Sequence, residues 1–211
     1  MWLAWSDRPA GGRDRGARAR AAVLAARAAA ALLGVPATGL RLVHGPDGAP
    51  HLAGVAAGQV RVSIAHSRGL AAAAVSTLGP VGVDVEPVRP LDALALARRW
   101  FRPEESDWLA GLPESHRAEA FLVLWTQKEA AGKALGTGLR GGKGLRRAVL
   151  APLPLPGPDG LRLAPLPDAG EPGPPLAAAV ARLAAPAVLA VACQHARAAG
   201  VPVTVRRDQA P

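Results

Sequence analysis

The 211-residue sequence contains one cysteine, one methionine, two phenylalanines and no tyrosine. A lone Cys193 excludes an internal disulfide framework and a cysteine-based zinc cluster, which points to a reducing, cytoplasmic setting. Long apolar runs are missing too: Ala21 to Leu33 is interrupted by Arg27 and is mostly alanine, and Met1 to Ala10 has no hydrophobic stretch. Neither a signal peptide nor a membrane span is expected. Acidic residues are few, 16 against 25 basic ones, so the net charge is +9 and anionic partners are favoured. Lysine is scarcer still, since every basic residue except Lys128, Lys133 and Lys143 is arginine. Part of the +9 therefore reflects a bias toward arginine and alanine. Arg13, Arg20 and Arg27 at seven-residue spacing would suit a basic nucleic-acid-binding protein. The absence of tyrosine, a count of only two phenylalanines and the lack of any recognisable binding motif argue against that reading, and no nucleic-acid partner is expected.

Half of the residues are hydrophobic, enough for one large or two small cores and too many for a disordered or collagen-like chain. Arg13 to Leu33 reads as a long helix stopped by Gly34-Val35-Pro36. Strands are expected at Leu40 to His44, Val60 to Ala65, Leu70 to Ser76 and Val81 to Glu86, set apart by turns such as Gly45-Pro46-Asp47-Gly48 and Gly79-Pro80. Short helices at Leu91 to Trp100 and Arg102 to Leu109 lead into a long one, Pro113 to Leu135. Further strands are expected at Leu145 to Leu150, Leu161 to Leu163, Ala187 to Cys193 and Val201 to Val205. The expected fold class is α+β, with two similar lobes, each a long helix packed on a small, mainly antiparallel sheet, and a cleft between them. The lobes are placed at residues 1–86 and 87–211, the second containing a Pro/Gly-rich excursion at 152–175.

Three patterns carry chemistry. In Val81-Gly82-Val83-Asp84-Val85-Glu86, alternation puts the valines on one face and Gly82, Asp84 and Glu86 on the other, with the two carboxylates ~7 Å apart along the strand. Gly82 leaves room for a ligand there. Hard oxygen ligands favour Mg²⁺ over zinc, whereas an ordinary polar strand face remains the plain alternative. Phe121, Trp125, Glu129 and Lys133 recur every four residues and form one helix stripe. Burial of the aromatics would bring Glu129 and Lys133 to the core margin. Either these two form a helix ion pair, or Glu129 joins Asp84 and Glu86 around a cation and Lys133 faces the anion that it holds. All three lysines fall between residues 128 and 143, where flexible ammonium groups could reach phosphate or simply solvate a helix.

Among the remaining motifs, Ser63-Ile64-Ala65-His66-Ser67 ends a strand with a histidine able to donate to phosphate or to serve a structural role. Gly136-Thr137-Gly138-Leu139-Arg140-Gly141 has the glycine spacing of a dinucleotide loop but follows a helix instead of a strand, so it is read as a loop beside a substrate.

Together, the Ser63–Ser67 segment, the Gly-Val-Asp-Val-Glu strand and the Trp125-x-x-Lys128-Glu129-x-x-x-Lys133 helix with Gly136-Thr137-Gly138-Leu139 resemble the 4'-phosphopantetheinyl transferases. The size and doubled layout are similar to the monomeric, pseudo-two-fold Sfp-type branch. The resemblance implies an Mg²⁺-dependent enzyme that moves the phosphopantetheine arm of coenzyme A to a serine of an acyl or peptidyl carrier protein. Such carriers serve fatty acid, polyketide or nonribosomal peptide biosynthesis. It implies that Asp84, Glu86 and Glu129 hold the metal and that Lys133 binds a phosphate and steadies the leaving 3',5'-ADP; because the carrier serine must lose its proton, Glu129, directly or through a metal-bound water, is the expected base. His66 would contact a cofactor phosphate, as would Arg20 on the first helix. Ala65 and Ala49 stand where the family often has a serine and a basic residue. The intact acidic and lysine positions argue against a silent relative that only binds coenzyme A or carriers.

Overall fold

The structure is a computed structural model that describes residues 1–7, 15–55, 58–137, 155–166 and 175–208. Strand β1 (Trp2–Ser6) is followed by helix α1 (Arg15–Leu33), β2 (Leu40–His44), β3 (Pro50–Gly54), β4 (Arg61–Ser67), β5 (Leu70–Ser76) and β6 (Val81–Pro87). Helices α2 (Ala93–Trp100), α3 (Pro103–Gly111) and α4 (Glu114–Ala134) come next, then β7 (Ala164–Pro165), β8 (Leu176–Arg182), β9 (Ala187–Gln194) and β10 (Thr204–Arg207). The mixed α+β class agrees with the sequence reading.

One sheet has the order β10-β1-β5-β4 and another β6-β9-β8-β7, while β2 and β3 form a separate hairpin. A β-α-β-β unit thus occurs twice: β1-α1-β4-β5 gives the order β1-β5-β4, and β6-α4-β8-β9 gives β6-β9-β8. A break at residue 86 does not describe these sheets. Strand β6 pairs antiparallel with β9, Asp84 opposite Ala190, and so opens the second unit. The C-terminal β10 returns to the first sheet, parallel to β1.

The two large sheets pack face to face. Leu3, Trp5, Ala72 and Ala74 from one meet Val83, Val85, Leu189 and Val191 from the other in the largest core cluster. On the outer faces, α1 lays Ala21, Leu24, Ala25 and Ala28 against Ala71, Ala73 and Val75, and α4 lays Ala130, Ala131 and Ala134 against Ala178, Ala190 and Ala192. Alanine on both sides of each contact lets helix and sheet approach closely, at the cost of apolar area per residue. The Pro/Gly-rich excursion joins this core where it is described: Leu161 and Leu163 enter the space between sheets, and Arg162 bridges to Pro202. The strand expected at Leu145 to Leu150, the residues of the Gly-rich loop from Gly138 onward, and Lys143 lie outside the described residues.

Gly82 has a role unlike the one its spacing suggests. A Cβ built there would lie 1.9 Å from the Ala130 carbonyl oxygen and 2.6 Å from the Ala134 nitrogen. The space beside Asp84 is therefore filled by the α4 backbone and not left for a ligand. Gly82→Ala is expected to displace α4 and cost more than about 3 kcal/mol, read as a fall in the denaturant midpoint. A midpoint within experimental error of wild type would contradict this packing.

Candidate active site

Sites in the second unit depend on how α4 is seated. Phe121 and Trp125 stack at 5.9 Å, Phe101 stacks on Phe121 at 4.8 Å, and Trp100 meets Trp125 edge-on at 6.4 Å. Phe121 is buried and Trp125 partly so, as the four-residue stripe implies. Lys128, two turns on from Phe121 and so on nearly the same side of the helix, is fully buried. Its Nζ lies 2.8 Å from Glu105 Oε2 and 5.2 Å from the centroid of the Phe101 ring. Glu105 also accepts the Arg102 backbone N–H at 3.1 Å, capping α3. The lysine cluster is thus not a single phosphate-binding set: Lys128 clamps α3 to α4, and burial lowers its pKa from the usual lysine range.

Removing one member of such a pair strands the other charge. Glu105→Ala is expected to destabilise the protein by roughly 3 kcal/mol, a fall of about 6–12 °C in Tm for a chain of this size. Most of that loss should return in a double Glu105→Met, Lys128→Met variant, where two apolar side chains replace the pair. Calorimetric melting of the three proteins checks both statements.

One turn beyond Glu129, Lys133 reaches the face of β6 that carries Asp84. Its Nζ donates to Asp84 Oδ1 at 2.9 Å and to the Val83 carbonyl oxygen at 2.8 Å. The other carboxylate oxygen of Asp84, Oδ2, is buried without a hydrogen-bond partner. Glu86, two residues along the strand, accepts a 2.8 Å hydrogen bond from Ser67 Oγ at the end of β4. A second serine on that strand, Ser63, accepts the Val83 N–H at 3.2 Å and ties β4 to β6. The two serines therefore fasten the acidic strand to the first sheet. The sequence showed a serine after His66, but only the packing of β4 against β6 of the other sheet reveals its target.

Electrostatically the three carboxylates act on one another. Burial, reinforced by the Asp84 charge and more weakly by Glu86, raises the Glu129 pKa to about 7, although Lys133 opposes the shift. Burial also raises Glu86, partly offset by the Ser67 hydrogen bond. Asp84, Glu86 and Glu129 are thus close enough to repel, with Lys133 as the cation on Asp84. Among the described residues, no three histidine, cysteine or carboxylate side chains are gathered closely enough to hold a metal ion as they stand. The donor chemistry nevertheless suits one: hard oxygens, excess negative charge and an orphaned carboxylate oxygen.

Beside this group runs a cleft of about 880 Å³ between the two units, lined by Arg18, His44, His66, Asp84, Lys133 and Gly136 among others. His66, Asp84 and Lys133 are therefore brought to one cavity, whereas Glu86, Glu129 and Arg20 do not line it. Arg20 donates to the Gly69 carbonyl at 2.9 Å and holds the β4–β5 turn. Arg18, two residues earlier, reaches the cleft and lies 3.4 Å from His44 Nε2. Arg20 was singled out from the sequence and Arg18 was not, because a helix of near-uniform Ala and Arg gives little sign of which arginine faces inward. Ala65 and Ala49 both line the cleft, so the two departures from the family pattern fall on its wall.

Residues 80–163 match the family model of the 4'-phosphopantetheinyl transferase superfamily. Among similar proteins, slr0495 of Synechocystis sp. is 38% identical over 104 residues, which cover 49% of this chain and 42% of that protein. HetI of Nostoc sp., named a 4'-phosphopantetheinyl transferase, is 40% identical over 78 residues, 36% of this chain and 33% of its own. The 4'-phosphopantetheinyl transferase psf-1 of Bacillus pumilus is 40% identical over 60 residues, 28% of this chain and 25% of its own. The chain thus spans less than half the length of each of these curated relatives. The segment from Pro80 to Leu163, which carries Asp84, Glu86, Glu129 and Lys133, is the part of the chain that matches the 4'-phosphopantetheinyl transferase superfamily.

Proposed function

We propose that the protein transfers the 4'-phosphopantetheine group of coenzyme A to a serine of an apo acyl or peptidyl carrier protein, releasing 3',5'-ADP. The observation that carries this reading is the ion pair between buried Asp84 and half-buried Lys133, which opens on a cleft between the two units within the segment that matches the family. In the reaction, the serine oxygen forms a bond to the pantetheine-side phosphorus of the diphosphate, and the bond from that phosphorus to the bridging oxygen breaks. The serine proton passes to a base, and 3',5'-ADP leaves with the bridging oxygen. Such displacements depend mainly on positioning and charge neutralisation.

Asp84, Glu86 and Glu129 would hold Mg²⁺, whose contribution when bound is to neutralise diphosphate charge. Lys133 and His66 supply cationic or hydrogen-bonding contacts to phosphates in the cleft. Arg18 adds a third cationic group there, and Arg20 acts through the turn that it braces behind His66. Glu129 is the proposed base; its pKa of about 7 belongs to the metal-free site, and Mg²⁺ held there would lower it. The net charge of +9 favours approach of an acidic carrier. A monomer working in the cytoplasm completes the proposal. No described helix is long and apolar enough to cross a membrane.

The direct test follows the small product. Incubation with coenzyme A, Mg²⁺ and apo carriers of both classes should release 3',5'-ADP, detected by chromatography, only when a carrier is present. Failure to release it with any carrier would overturn the proposal.

A further inference from the structure

The cation nearest Asp84 is supplied by the protein itself. Lys133 Nζ contacts Asp84 Oδ1 at 2.9 Å and the Val83 carbonyl at 2.8 Å, while the Asp84 side chain is only 11% exposed. The same ion pair sits where the acidic face of β6 meets the cleft. A divalent ion coordinated by Asp84 would sit about 2.1 Å from a carboxylate oxygen. With the ammonium still in place, charges of +2 and +1 would then lie within roughly 4 Å, in a site whose dielectric is below that of water. With Lys133 on Oδ1 and the metal on the unpartnered Oδ2, the two cations repel across one carboxylate. Lys133 has a way out: its side chain is 30% exposed and lines the cleft, on a flexible four-carbon stem.

We infer that Lys133 is the resident cation of the metal-free site, neutralising Asp84 until a divalent cation enters and then swinging into the cleft. This rests on the metal assignment proposed above. One ammonium thereby serves two states. It holds the acidic strand together before loading, and afterwards becomes available to an anion in the cleft only when the metal is present. Metal and anion are then thermodynamically linked, each favouring the other's binding through the same displacement. A lysine that merely lined a preformed metal site would show no such exchange.

The chain's lysine poverty makes the exchange observable, since lysine ε-carbon labelling of the whole protein yields signals from Lys128, Lys133 and Lys143 only. Signals are assigned with Lys133→Arg and Lys143→Arg. Addition of Mg²⁺ without coenzyme A should move the Lys133 resonance toward that of a solvated lysine and leave Lys128, buried against Glu105, unmoved. By calorimetry, Lys133→Met should bind Mg²⁺ about tenfold more tightly than wild type, because the competing charge is gone. Lys133→Gln provides the same comparison if the Met variant does not fold. An unmoved Lys133 signal at saturating Mg²⁺, or a neutral variant that binds no more tightly, would overturn the exchange while leaving the metal assignment intact. Failure of wild type to bind Mg²⁺ even with 3',5'-ADP present would overturn both.

Discussion

Asp84→Asn is expected to slow transfer to a carrier by at least about a thousandfold, equivalent to about 4 kcal/mol of transition-state stabilisation. The fold should survive the change. Asn keeps the shape of Asp84, and Lys133, 30% exposed, can turn to solvent once its partner is neutral. A partly exposed ion pair is worth no more than about 1 kcal/mol, so the Tm should stay within about 4 °C of wild type. The activity loss would then reflect the missing charge on the cleft wall and not unfolding. Transfer at a near wild-type rate would remove Asp84 from the site.

Glu129→Gln should separate activity from stability in the opposite sense. The folded pKa of Glu129, about 7, lies above its ordinary value of 4.5. Between those values the native state binds more protons than the unfolded one, so this group's contribution falls as pH rises, and above about pH 7 the whole penalty is present. The shift corresponds to ~3 kcal/mol before screening and about 1–2 kcal/mol for a side chain that is only partly buried. Glu129→Gln is therefore expected to melt about 2–8 °C higher than wild type at pH 8, with the difference vanishing near pH 4. Mg²⁺ should narrow the gap at pH 8 by stabilising only the wild type. The same variant should lose at least about a hundredfold in transfer, the usual contribution of a positioned base. Equal melting at pH 8 would show that the three carboxylates do not repel in the folded protein. A site residue that weakens the fold that carries it is the expected trade of stability for function.

Much of this could be read from the chain because certain residues interrupt its monotony. Against a background of Ala, Gly and Arg, the alternation in Val81–Glu86 and the four-residue recurrence of Phe121, Trp125, Glu129 and Lys133 stand out, and the structure places Asp84 and Lys133 in contact. Strand β5 was legible from its flanking turns. Strand β8, Leu176–Arg182, was not, because four alanines in seven residues carry neither alternation nor β-branched bias. Strands β1 and β3 were missed for a different reason: one begins at the second residue, and the other is bounded by Pro50 and Gly54, which read as turn chemistry.

The errors around the site share a cause. Gly82, Ser67, Lys128 and Arg20 all act on partners 19 to 52 positions away, through contacts that local spacing does not encode. Gly82 admits a helix backbone, Ser67 restrains Glu86, Lys128 is spent on Glu105, and Arg20 braces a turn while Arg18 faces the cleft. The division of the chain failed for the same reason, since β10 crosses back to β1 only in three dimensions.

The acidic face of β6 and the polar end of α4 are proposed to form one Mg²⁺-dependent transfer site. The intact mass of an apo carrier after incubation with enzyme, coenzyme A and Mg²⁺ tests it most directly. A single phosphopantetheine adduct is expected on the carrier, absent with excess chelator, absent with Asp84→Asn, and absent when the carrier's acceptor serine is replaced by alanine. An unchanged carrier mass across acyl and peptidyl carriers, or an adduct that forms equally well without a divalent cation, would contradict it.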